Sequence, residues 1–119
     1  MARGAIEAFK EANRPLVPMF GEDSNGFLKL WKANVGVDKF DAIGSSMPTY
    51  FFADALKLGL DIKDGKTVVG TDVKKDQVFN TMKITQDVME KIVRPDLPDS
   101  FWCNTHMDEA QIKALFASK

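Results

Sequence analysis

The only histidine and the only cysteine of this chain, His106 and Cys103, lie three residues apart. That spacing is typical of half a zinc site, because thiolate and imidazole are ligands that zinc prefers. No other cysteine or histidine is present to complete a set of four ligands. The pair would also suit a nucleophile and its base, but no orienting group or oxyanion donor accompanies it. We therefore interpret Cys103 as a buried thiol at a strand end, and predict no catalytic residue, no metal and no cofactor.

Calcium binding is the second possibility to consider, because two loops each precede a predicted helix. A calcium loop needs oxygen ligands at alternate positions, a glycine at the sixth and a bidentate glutamate at the twelfth. In the first loop, ligand positions fall on residues such as Lys63 or Lys66, and the twelfth on Asp72 or its neighbour. The second loop, 95–104, has two acids but no glycine. Both loops are predicted to be degenerate, and the segment 23–26 is interpreted as a turn with a helix cap.

Lysines are concentrated around the first loop and the segment that follows it. Such a cluster could face an acidic partner surface, and a solvated lysine face is the alternative. The lysines that we predict to contact a partner are Lys63, Lys66, Lys74 and Lys75.

Aromatic residues also gather close to the loops, most densely at Tyr50, Phe51 and Phe52. Three adjacent positions on a helix cannot all point inward, so one of these rings is predicted to reach the surface. An exposed aromatic on a helical domain without catalytic groups indicates a protein interface. Tyr50, Phe51 and Trp31 are the candidate apolar anchors.

The bulk composition excludes several classes of partner. The chain has 119 residues, with 16 basic against 17 acidic side chains, so its net charge offers no global attraction to nucleic acid or anionic membrane. Neither a signal peptide nor a membrane-spanning run is evident, and a single cysteine allows no internal disulfide. We expect an intracellular protein inserted in no membrane; an organellar location, after removal of a presequence, stays open.

The elements that must position these residues are predicted to be helical nearly throughout. Prolines stand where helices should begin or end, and Ser24 or Asn25 is a suitable helix cap. We expect one domain, 1–119, with N-terminal helices in 1–43 and a paired core in 44–117. The predicted helices cover 2–13, 27–35, one or two turns within 38–43, 49–58, a stretch from Thr71 that breaks near Thr85, a further helix that contains Val88, Met89 and Ile92 and ends at Pro95, and 105–117.

Two short β-prone runs, 66–69 and 101–104, each precede a predicted helix. In paired EF-hand-like units the corresponding runs form a small antiparallel bridge. The sequence therefore predicts an all-α, EF-hand-like pair of helix-loop-helix units, with Val68 and Trp102 buried in the bridge.

The stretch 44–83 resembles the core of the tubulin polymerization-promoting protein family. The shared features, in order, are Gly44 and Met47, the aromatic-alanine pair Phe52-Ala53, Asp64-Gly65-Lys66, Val68, Thr71-Asp72-Val73, Val78-Phe79 and Lys83. The resemblance implies an EF-hand-like helical domain in a cytoskeletal protein. A cilium or flagellum is one location that it implies for such a protein.

Together these observations predict a non-enzymatic domain that binds tubulin or a microtubule-associated assembly. The alternative is a small accessory subunit of another large complex, an organellar one included, in which the same fold serves as a packing element.

Overall fold

A computed structural model describes residues 1–46, 48, 50–66 and 81–117 of the chain. Over these residues the fold is mixed α/β, with five α-helices and one three-stranded sheet. The prediction of an all-α fold is therefore wrong. The elements, in chain order, are α1 (Ala2–Glu11), β1 (Met19–Gly21), α2 (Asn25–Asn34), a 3-10 turn (Val37–Lys39), β2 (Ala42–Ser45), α3 (Phe51–Lys63), β3 (Lys83–Ile84), α4 (Gln86–Ile92) and α5 (Glu109–Phe116).

The sheet joins segments that are far apart in sequence. Strand β1 pairs with β2 in parallel, so that Phe20 lies opposite Ile43, and β2 pairs with β3 in antiparallel orientation. The segment 38–43 was predicted as helical turns, but only Val37–Lys39 forms a 3-10 turn before the chain extends into β2. A strand of three or four residues is too short for its alternation to stand out in a sequence.

Helices α1, α2 and α4 cover one face of this sheet. In α2 the side chains of Phe27, Leu28 and Trp31 share one side of the helix and are fully buried. Gly21 is required where β1 passes α2, because a Cβ there would lie 2.3 Å from the Phe27 ring. The remaining buried apolar residues of this core are Ile6, Leu16, Phe40, Ala42, Ile84, Met89 and Val93.

The β-type bridge at Trp102 has a different partner from the predicted one. Trp102 is half-buried and pairs with Ser24, directly before α2. Lys66 lies just beyond the turn that ends α3, and the rest of the predicted partner run, including Val68, lies outside the described residues. The predicted pairing of 66–69 with 101–104 thus lies, apart from Lys66, outside the described residues, and the described partner of Trp102 is Ser24.

The predicted helix boundaries agree with the structure better than the predicted strand pairing does. The last helix begins at Glu109, with the Asp108 carboxylate accepting the backbone N–H of Gln111 and the Gln111 side chain accepting the N–H of Asp108. The predicted cap at Thr105 is thus displaced by one turn. Thr85, the predicted break, is the residue before α4. The helix predicted from Thr71 lies outside the described residues.

Asn25 holds the loop after α4 against the start of α2. Its side chain is fully buried, and its Nδ2 lies 2.7 Å from the carbonyl oxygen of Arg94 and 3.0 Å from that of Leu97. In return, its Oδ1 accepts the backbone N–H of Arg94 at 2.9 Å. Ser24 precedes the helix without capping it through its side chain. The predicted capping role of Asn25 is therefore replaced by a long-range one.

Candidate docking surface on helix α3

Helix α3 is the element with the most unusual exposure. None of its 13 residues is buried, although most of them are apolar. Phe52, Leu56 and Leu60 are 81%, 65% and 51% exposed. These three residues, spaced four apart, lie on one side of the helix, and we call them the α3 stripe. A helix normally gains its stability by burying such a side against another element.

The opposite side of α3 is polar. Asp54, Lys57 and Asp61 recur at intervals of three and four residues and therefore form a second, charged line along the helix. The helix is amphipathic, yet it presents its apolar side to solvent. The Cα radius of gyration, 18.0 Å, also exceeds the value of about 13.5 Å that a compact chain of this length would have.

The start of α3 is fixed to the loop that precedes α5. Ser46 is fully buried; its backbone N–H donates to the Met82 carbonyl at 3.0 Å, and its Oγ accepts from Asn104 Nδ2 at 2.9 Å. The Tyr50 ring stacks on His106, with ring centroids 3.6 Å apart. These contacts set the direction in which α3 leaves the sheet.

The predicted lysine patch is only partly assembled here. Lys63 is exposed in the last turn of α3, and in the described residues it forms no ion pair. Lys66 instead donates to Asp61 at 2.7 Å, a hydrogen bond that lowers the pKa of that carboxyl group. Lys74 and Lys75 lie outside the described residues. One of the predicted lysines thus remains as an open charge beside the α3 stripe.

The predicted aromatic anchors are distributed between core and surface. Trp31 is fully buried against Phe27, with ring centroids 5.9 Å apart, so it is not available to a partner. Tyr50 and Phe51 are half-buried at the start of α3 and contact each other edge to face. Phe52 is the ring of the three that reaches the surface. Leu56 and Leu60 were not singled out, although their spacing from Phe52 and the polar line opposite them are visible in the sequence.

Cys103 lies in a protected position. Its Sγ is 3.5 Å from Asn25 Oδ1, and burial, with the nearby Asp23 carboxylate, raises the pKa of the thiol to about 11. A thiol that is protonated at neutral pH is a poor nucleophile. The His106 ring stacks on Tyr50, and within the described residues no group of three or more metal-binding side chains occurs. This geometry gives no support to a catalytic or zinc-binding pair.

Asp23 is the other chemically notable buried group. Its Oδ2 accepts the backbone N–H of Asn104 at 3.0 Å, and its carbonyl oxygen accepts that of Cys103. Its Oδ1 is buried and has no hydrogen-bond partner among the described residues. The carboxylate stands just before α2, where the helix dipole favours a negative charge. We interpret it as a structural tie between α2 and the loop before α5.

No protein-family model matches this chain, and neither curated proteins nor solved structures give a significant match. Among the helices of the described residues, none has the length and apolar character needed to cross a membrane.

Proposed function

We propose that this protein is a non-enzymatic interaction module that docks onto a protein partner through helix α3. The observation that carries the proposal is the α3 stripe, in which Phe52, Leu56 and Leu60 are each at least half exposed. A helix with such a stripe can lay its apolar side into a groove of a partner, with anchor residues four apart. Large aromatic side chains are the commonest energetic centres of such contacts.

The leading partner is tubulin or a microtubule-associated assembly. The choice rests on the resemblance of 44–83 to the tubulin polymerization-promoting protein family, since that stretch includes all of α3. Lys63, in the last turn of α3, lies beside the stripe and would meet an acidic rim, which favours association rate and orientation more than affinity. On this proposal the protein works inside the cell at the cytoskeleton, with a cilium or flagellum as one setting.

A second candidate is an accessory subunit of another large complex. The charge balance of α3 favours it, because Asp54 and Asp61 offset Lys57 and Lys63 and leave the apolar side as the main source of binding energy. A neutral apolar partner groove would serve such a helix as well as an acidic one. The two candidates differ in whether purified microtubules alone retain the protein.

Co-sedimentation with polymerised tubulin tests the proposal. Phe52→Gln combined with Leu56→Gln removes most of the stripe but keeps strong helix formers on α3. If the stripe supplies a binding hot spot of about 2 kcal/mol or more, the Kd should rise by about 30-fold or more.

Leu115→Gln is the matched control, since Leu115 is an apolar residue of α5 with 54% exposure, outside the stripe. The control should bind as tightly as the parent chain. Binding that survives loss of the stripe would refute the docking proposal. If the parent chain does not sediment with microtubules, tubulin is not the partner and the second candidate, an accessory subunit of another complex, is favoured.

A further inference from the structure

The three-stranded sheet has one open face. Phe20 of β1 and Ile43 of β2 lie directly opposite each other in the parallel register, and they are 68% and 41% exposed. The helices that cover the sheet contact its other face, where Gly21, Ala42 and Gly44 are buried. Sheets in mixed α/β folds normally have apolar faces covered by another layer. We call Phe20 and Ile43 the open sheet face.

A cavity adjoins this face. It has a volume of about 270 Å³, and Met1, Phe20, Glu22 and Ser45 contribute to its lining. On the other side of Ile43, a second depression is lined by Asp41 and Asp87 together with Lys83. The open sheet face is thus apolar at its centre and bordered by three carboxylates and one lysine.

Among the described residues, no element covers the α3 stripe and no helix covers the open sheet face. Within one chain the two surfaces do not meet, because buried Ser46 and the Tyr50–His106 stack hold the start of α3 against the loop before α5. Turning α3 onto its own sheet would break the Ser46 hydrogen bonds to Met82 and Asn104. A second copy of the chain can present its α3 to the sheet without breaking them.

We propose that two copies associate reciprocally, with the α3 stripe of each packed on the open sheet face of the other. Charge adds to the fit at one point, since Lys63 lies beside the stripe whereas Glu22, Asp41 and Asp87 border the sheet face, with Lys83 next to them. The arrangement is closed, so that both copies use the same two surfaces and no further copies are recruited.

The area is sufficient for a weak but specific dimer. An aromatic side chain buries 150–250 Å², so Phe20 and Phe52, given their exposure, would together bury on the order of 300 Å². The reciprocal contact doubles this figure, and Ile43, Leu56 and Leu60 add to it. The total approaches about 1,200 Å², the lower end of the range for stable interfaces.

This association involves the stripe that the proposed function assigns to a partner protein, but it requires no partner. A partner that binds the stripe would compete with self-association. The dimer can therefore be tested with the purified chain alone, and its failure would leave the proposed function standing.

Sedimentation velocity over about 5–200 µM is the test, a range chosen to bracket micromolar affinities. The parent chain should move from 13.3 kDa toward twice that mass as concentration rises. Phe52→Gln with Leu56→Gln on α3, and Phe20→Thr with Ile43→Thr on the sheet, should each weaken association at least tenfold. Leu115→Gln should leave it unchanged, and circular dichroism establishes that each variant is folded.

Mixing the two double variants gives the decisive result. One intact stripe then meets one intact sheet face, so association should partly return, although each variant alone remains monomeric. Glu22→Lys provides an independent sheet-side variant that changes no strand residue, and it should weaken the dimer as well. A parent chain that stays monomeric throughout, or a dimer that tolerates the sheet variants, would overturn the proposal.

Discussion

Replacing Asn25 by alanine should destabilise the fold more than its small change in volume suggests. The buried carboxamide joins the start of α2 to the loop after α4, contacting the carbonyl oxygens of Arg94, Leu97 and Pro98 and accepting the backbone N–H of Arg94. An amide nitrogen carries two hydrogens, so the three carbonyl contacts count as two hydrogen bonds.

The magnitude follows from these contacts. Two lost hydrogen bonds cost about 2 kcal/mol, at roughly 1 kcal/mol each. The Arg94 N–H left without its acceptor costs about 1–3 kcal/mol more. We therefore expect the free energy of unfolding to fall by about 3–5 kcal/mol, a large share of the 5–15 kcal/mol typical of a small domain.

Asn34→Ala is the matched control, because Asn34 is also a buried residue of α2, but within the described residues its side chain makes a single hydrogen bond, from Nδ2 to the Leu30 carbonyl at 2.6 Å. It should cost about 1 kcal/mol. Urea unfolding followed by Trp fluorescence gives both values. The reasoning is refuted if Asn25→Ala costs no more than Asn34→Ala.

Two further predictions concern chemistry. Because burial raises the pKa of Cys103 from 9.0 to about 11, the native thiol should react with iodoacetamide at pH 8 about 100-fold more slowly than the urea-unfolded thiol, in line with its thiolate fraction. The same shift means that this thiol favours the folded state below pH 9, and that its contribution is lost as the pH rises through about 11. Equal reaction rates in the two states would contradict the burial of the thiol. Calorimetry with millimolar calcium should show no specific heat, because lysines occupy the ligand positions of the first loop; a stoichiometric site would contradict this and would point to Asp61, Asp64 and Asp72.

Local patterns in the sequence predicted most of the described helices. They did not predict which strands pair with one another. The apolar spacing of Phe27, Leu28 and Trp31 predicted α2 to within two residues, whereas the predicted cap of the last helix, Thr105, lies three residues before the observed cap, Asp108. The parallel pairing of β1 with β2 brings together residues more than twenty positions apart, and no local pattern in so short a strand specifies it.

The candidate site was only partly predictable for a related reason. Three adjacent aromatics predicted that one ring would be exposed, and Phe52 is that ring. Whether the apolar side of a helix is covered depends on where the rest of the chain goes, so the exposure of Leu56 and Leu60 required the structure. Lys66 was predicted to contact a partner, but in the structure it forms an ion pair with Asp61. That ion pair depends on the turn that ends α3.

The central claim is that α3 is the docking surface, and hydrogen–deuterium exchange with and without polymerised tubulin tests it most directly. Exchange of the α3 amides, residues 51–63, should slow on binding, because a helix laid into a groove opens less often. The amides of α2, whose apolar side is already buried in the core, should exchange at an unchanged rate and provide an internal reference. Protection confined to elements other than α3, at saturating microtubule concentration, would contradict the account.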